Sequence, residues 1–194
     1  MISIERDTHG RTYQIWQQQQ ANSCGIASCW MARSIALQMS FAQEEWDYAV
    51  LTFASAVGGA LGNSGLNPEA PMTLADVSTD DGGLAAGMSS FGFYGAQLAT
   101  ALRAEGLTVE DTFNNNNAMR IAHNKISLVK PAICLVNWTD GPGGHFIVVG
   151  RATSREVTFL DPWDGHANQQ SNDGTYVANY GRTGICVEIL YVKA

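Results

Sequence analysis

Apolar positions along the chain follow two regimes, helical spacing in the first two thirds and alternation or short blocks after residue 131. Ala27, Met31, Ile35 and Met39 step by four and predict a first helix from Cys24 to Leu37. Trp46, Val50 and Phe53 share a face of a second, from Ala42 to Ala56. Leu98 and Leu102 place a third over Ala96–Glu105, with Gly106 as its stop. Ile121, Ile126 and Val129 suggest a fourth over Ala118–Val129, ended by Pro131. Short strand-like pieces precede the first helix, at residues 11–17, and follow the third, at Leu107–Val109. The last third reads as strands: Ala132–Trp138, His145–Arg151, Glu156–Leu160, Thr175–Val177 and Ile185–Val192. The turn Asp140-Gly141-Pro142-Gly143-Gly144 would join the first two as a hairpin. Helices first and an antiparallel sheet afterwards make an α+β layout.

Residues 57–95 break the pattern. They are rich in Gly, Asn, Ser and Asp and read as a long irregular insertion, either the rim of a cleft or a surface elaboration. With 194 residues, 45% hydrophobic and 15% charged, the chain is expected to fold as one domain, 1–194. A net charge of −7, with eleven scattered basic residues, argues against nucleic acid as a partner. The absence of an apolar run of about 18 residues argues against a membrane span. Residues 1–7 carry no apolar leader, so the expected location is cytoplasmic, or secreted without a cleaved signal peptide. Cys134 and Cys186 lie in apolar strand-like runs and read as buried free thiols.

Cys24 changes the picture. It stands at the predicted start of the first helix, where free N–H groups and the helix dipole favour a thiolate. A thiol hydrolase also needs a histidine to carry the proton, a group to orient that histidine, and donors for the oxyanion. His145 opens the apolar strand Phe146-Ile147-Val148-Val149. Asp161 follows sixteen residues later, and two antiparallel strands joined by a turn near 152–155 would return it to His145. There it would accept the imidazole Nδ1–H, with Asn137 as the alternative orienter. Gln18, six residues before Cys24, could add a side-chain amide to the Cys24 N–H as oxyanion donors; Gln19, in the same run Gln17–Gln20, is the alternative. Cys29, followed by Trp30, is a rival nucleophile. It lies more than a turn inside the helix and has Ser23, not a glutamine, six residues before it. His9, His123 and His166 show no metal-ligand spacing, so no metal and no cofactor is expected.

The motifs Gln18…Cys24-Gly25-x-Ala27, Gly144-His145-Phe146 and Asp161-Pro162 together resemble the papain-like cysteine peptidase superfamily. They are most similar to the bacteriocin-processing (double-glycine leader) peptidases and their stand-alone relatives. Asp161-Pro162-Trp163-x-Gly165 also resembles papain-like effector proteases of plant-pathogenic bacteria. The resemblance spans residues 13–165 on three short motifs. It implies a papain-like fold, N-terminal helices packed on a C-terminal antiparallel β-sheet. It also implies a Cys24–His145–Asp161 triad, a Gln18-assisted oxyanion hole, and hydrolysis of peptide or isopeptide bonds in a protein or peptide substrate. The same triad could serve an amidase, a deamidase or an acyltransferase, or a secreted bacterial effector or toxin. The 57–95 segment exceeds what a minimal domain of this kind needs, so substrate preference is not carried over.

Overall fold

The computed structural model describes residues 1–18, 23–39, 95–114 and 117–194. The expected second helix and nearly all of the 57–95 segment lie outside the described residues, as do Gln19 and Gln20. The described chain is α+β, with two α-helices and a large antiparallel sheet.

Strands β1 (Ile2–Arg6) and β2 (Thr12–Trp16) form a separate antiparallel pair. Helix α1 runs Cys24–Leu37 and helix α2 Gly95–Ala104. Then come β3 (Thr108–Phe113), β4 (Ala132–Trp138), β5 (Gly144–Ala152), β6 (Glu156–Asp161), β7 (His166–Ser171), β8 (Thr175–Val177) and β9 (Thr183–Lys193). These seven make one sheet in the order β3-β9-β4-β5-β6-β7, with β8 also paired to β9.

Strand alternation divides the core between the two faces of this sheet. Phe146 and Val148 of β5 face a cluster that contains Ile26, Trp30 and Met31 of α1 and Leu98 and Leu102 of α2. Ile147 and Val149 face the other cluster, with Phe159, Tyr176 and Cys186. Helix α1 is buried almost all round from Gly25 to Ala32, as expected for a helix covered on several sides. It ends where Gln38 turns left-handed (φ 54°) and the Met39 N–H bonds the Ser34 carbonyl at 2.9 Å. Met39, the last member of the apolar four-step repeat, therefore lies beyond the helix and is exposed.

The expected helix over Ala118–Val129 does not form. The Met119 N–H bonds the Cys186 carbonyl at 2.8 Å. The Asn172 side chain takes both backbone groups of Ile121, at 2.9 Å each. With its backbone claimed by β9 and Asn172, the segment keeps only a 3₁₀ turn, His123–Lys125. Ile121 is still buried, as its apolar character requires. Two strands were not expected. β7 reads His-Ala-Asn-Gln-Gln-Ser and exists through its register with β6, without an apolar pattern of its own. β1 turns Ile2 and Ile4 outward, so its alternation does not mark a core face.

Candidate active site

Cys24 is the first residue of α1 and is half-buried. The Ala27 N–H donates to the Ser23 carbonyl at 2.9 Å, and the Ser23 side chain does not cap the helix. The Cys24 N–H belongs to the opening turn, whose donors have no intrahelical partner. A thiol and a helix-opening N–H thus come from one residue.

His145 is the second residue of β5 and is 4% exposed. It shares strand parity with Ile147 and Val149, so it stands on the second face of the sheet, at its end. Gly144 brings the strand in closely: a Cβ there would meet the Val136 carbonyl oxygen at 2.9 Å. Asp161, the last residue of β6, is fully buried. The β5–β6 pairing, with its irregularity between Val149 and Arg151, returns it to His145 as the spacing predicts. His145 Nε2 and Asp161 Oδ1 are 2.6 Å apart. The imidazole also hydrogen-bonds the Cys24 side chain.

One detail differs from expectation. Asp161 engages Nε2, not Nδ1. Through this outer ring nitrogen the imidazole reaches across to the neighbouring strand. Asn137 lies opposite Gly144 in the β4–β5 register, and Asp161 is the residue that holds the imidazole.

Burial alone would push the His145 pKa down. The hydrogen bonds to Asp161 and Cys24, and their charges, outweigh it and raise it to about 10. Burial likewise acts upward on Asp161. The His145 hydrogen bond and charge, the Tyr176 hydroxyl and the Trp163 N–H together hold its carboxyl below the ordinary carboxylate range. The Trp163 N–H donates to Oδ1 at 2.7 Å and Tyr176 Oη donates to Oδ2 at 2.5 Å.

Gln18 is brought to the same region by its backbone. Its N–H donates to the Pro162 carbonyl at 2.7 Å, and Gln17 Nε2 donates to the Trp163 carbonyl at 3.3 Å. The residues just before the helix are thereby tied to the turn that follows Asp161. Cys29 is fully buried within α1, its sulfur 3.9 Å from the Leu98 carbonyl oxygen. Burial, with the Glu105 charge behind it, pushes that thiol well above its usual pKa. Cys134 and Cys186 are buried and free, next to each other under the sheet. His9 pairs with Glu156 at 3.3 Å and His166 with Glu5 at 3.1 Å. Among the described residues no group of three or more His, Cys, Asp or Glu side chains is arranged to hold a metal ion, and no helix is long and apolar enough to cross a membrane.

Four residues of the site escape a reading of the sequence. Trp138 stacks on the imidazole, centroids 5.8 Å apart and planes within 14°. Arg182 lies over that indole, 4.4 Å from its centre, and is held by Asp140 at 2.9 Å. Tyr176 and Tyr180 come from β8 and the turn after it. The hairpin turn at 140–144 could have placed Trp138 beside His145, since the two strands it joins end there. Tyr176 has no local signal. It reaches Asp161 only because β8 folds back along β9.

No protein-family model and no curated protein compared with the chain matches it.

Proposed function

We propose that the protein is a cysteine peptidase with a papain-like arrangement, a nucleophile-bearing helix set against an antiparallel sheet that carries the acid–base pair. The observation that supports this reading best is the unbroken contact Cys24–His145–Asp161, assembled from three separate elements. Its electrostatics suit the chemistry. A histidine that holds its proton up to about pH 10 presents an imidazolium beside the thiol at neutral pH, the partner a thiol nucleophile needs.

In this reading the Cys24 sulfur attacks the scissile carbonyl carbon, and the charge moves to the carbonyl oxygen. The Cys24 N–H, with the Gln18 side-chain amide, stabilises that oxyanion. Collapse breaks the C–N bond as His145 gives its Nδ1 proton to the departing amine. A water molecule then loses a proton to His145 and attacks the thioester, releasing the acid and restoring the thiol. Asp161 keeps the imidazole in one tautomer and plane throughout. No cofactor takes part.

Cys24→Ala is expected to abolish cleavage while leaving the fold intact by circular dichroism. Peptide mapping after brief iodoacetamide treatment is expected to find the label on Cys24, with Cys29, Cys134 and Cys186 protected by burial. Hydrolysis retained by Cys24→Ala would refute the assignment. Profiling of new N-termini generated by the active protein and by Cys24→Ala would supply the substrate.

A further inference from the structure

The Asp161 carboxylate receives donors from three elements. Oδ1 accepts from His145 Nε2 at 2.6 Å and from the Trp163 N–H at 2.7 Å, while Oδ2 accepts from Tyr176 Oη at 2.5 Å. Rotation of a carboxylate about its terminal bond is soft, so its plane must be set from outside. The two donors on Oδ1 fix one oxygen. The donor on Oδ2 fixes the plane. Tyr176 suits that task. It is fully buried, its ring packs edge-on against Phe159 at 5.2 Å, and its oxygen accepts a hydrogen bond from Asn168 Nδ2 at 3.3 Å. The oxygen is therefore held from behind while its own proton points forward to Asp161.

We propose that Tyr176 is a positioning residue of the site, its hydroxyl holding the Asp161 carboxylate in the orientation that aims Oδ1 at His145. The inference rests on the peptidase reading for its purpose, though not for its geometry. Burial and the Asp161 charge push the phenol well above its ordinary pKa, so the hydroxyl remains a donor at any pH where the site works. The other ionisable groups around the carboxylate are His145, Cys24, Tyr180 and Asp164. Tyr180 is close enough to feel the Asp161 charge, but it is 38% exposed and water can replace its hydroxyl. Nothing comparable can replace that of Tyr176.

The test is Tyr176→Phe, which keeps the ring against Phe159 and removes only the hydroxyl. In the wild type the proton on His145 Nε2 is expected to give a sharp low-field NMR signal. In the variant it should shift or broaden, and kcat should fall about tenfold with KM little changed, as expected for loss of a hydrogen bond to a buried charge. One contribution holding the Asp161 carboxyl down disappears, so its protonation, and the loss of activity that follows it on the acid side of the pH–rate profile, should move to higher pH. A wild-type Nε2–H signal and a wild-type pH profile in the variant would overturn the inference, even if the melting temperature fell. Wild-type Cys24 that reacts no faster than a free thiol would defeat the peptidase reading, and the NMR comparison would still decide the role of Tyr176. Should Tyr176→Phe not fold, Asn168→Ala frees the phenol from its rear partner. It should shift the same signal in the same direction, and an unchanged signal would overturn the inference.

Discussion

At the scale of single residues, the division of labour between His145 and Asp161 is set by burial and pairing. Asp161→Asn removes the charge that helps keep His145 protonated while leaving a side chain of nearly the same shape. The imidazole then loses its fixed tautomer. Turnover measured on any cleaved peptide should fall by about 10²–10⁴-fold, the range for a misplaced acid–base group. The basic limb of the pH–rate profile should move down from the region near pH 10, because the upward pull of Asp161 on His145 is gone. The residues of the proposed triad were legible in the sequence because such chemistry is confined to a few residue types, and because Asp161 lies one strand hairpin from His145. Trp138 and Tyr176 were not. Tryptophan and tyrosine are common core residues, and only the tertiary path of β4 and β8 brings these two to the site.

Among the elements, β5 does most to set the geometry, and its two glycines are close-approach points. A Cβ on Gly144 would meet the Val136 carbonyl oxygen at 2.9 Å, and one on Gly150 would meet the Tyr13 ring at 2.7 Å. The first contact is with backbone and cannot be relieved by a rotamer change. Gly144→Ala is expected to cost about 1–3 kcal/mol as an overpacked site. Calorimetry should show a fall in Tm of about 2–10 °C. Activity should fall further than stability alone explains, because His145 is the next residue. Strands β4, β5, β6 and β9 were legible as β-branched blocks bounded by turns, and α1 and α2 as four-step repeats. The 118–129 segment misled because its apolar spacing is also satisfied by an extended path in which Asn172 claims the backbone of Ile121. β7 was hidden because an edge strand takes its structure from its neighbour.

For the whole molecule, the buried pair makes stability depend on pH. The folded-state pKa of His145, about 10, lies above its unfolded value of about 6.5, so its contribution is fully present below about pH 6.5 and is lost as pH rises toward 10. Asp161 is held below its unfolded value of about 3.9, so its contribution is present above that pH and is lost as pH falls through the folded value. Melting temperature is therefore expected to be highest between about pH 4 and 6.5 and to decline on the alkaline side. In His145→Gln that alkaline decline should flatten; a decline of unchanged steepness would place its source elsewhere. The bond between the Gln18 N–H and the Pro162 carbonyl carries a last consequence. It joins the chain just ahead of the nucleophile to the chain just behind the orienting carboxylate, so the two cannot separate without exposing that one amide to solvent. Its hydrogen–deuterium exchange rate is a built-in clock for how often the two halves of the proposed site part company.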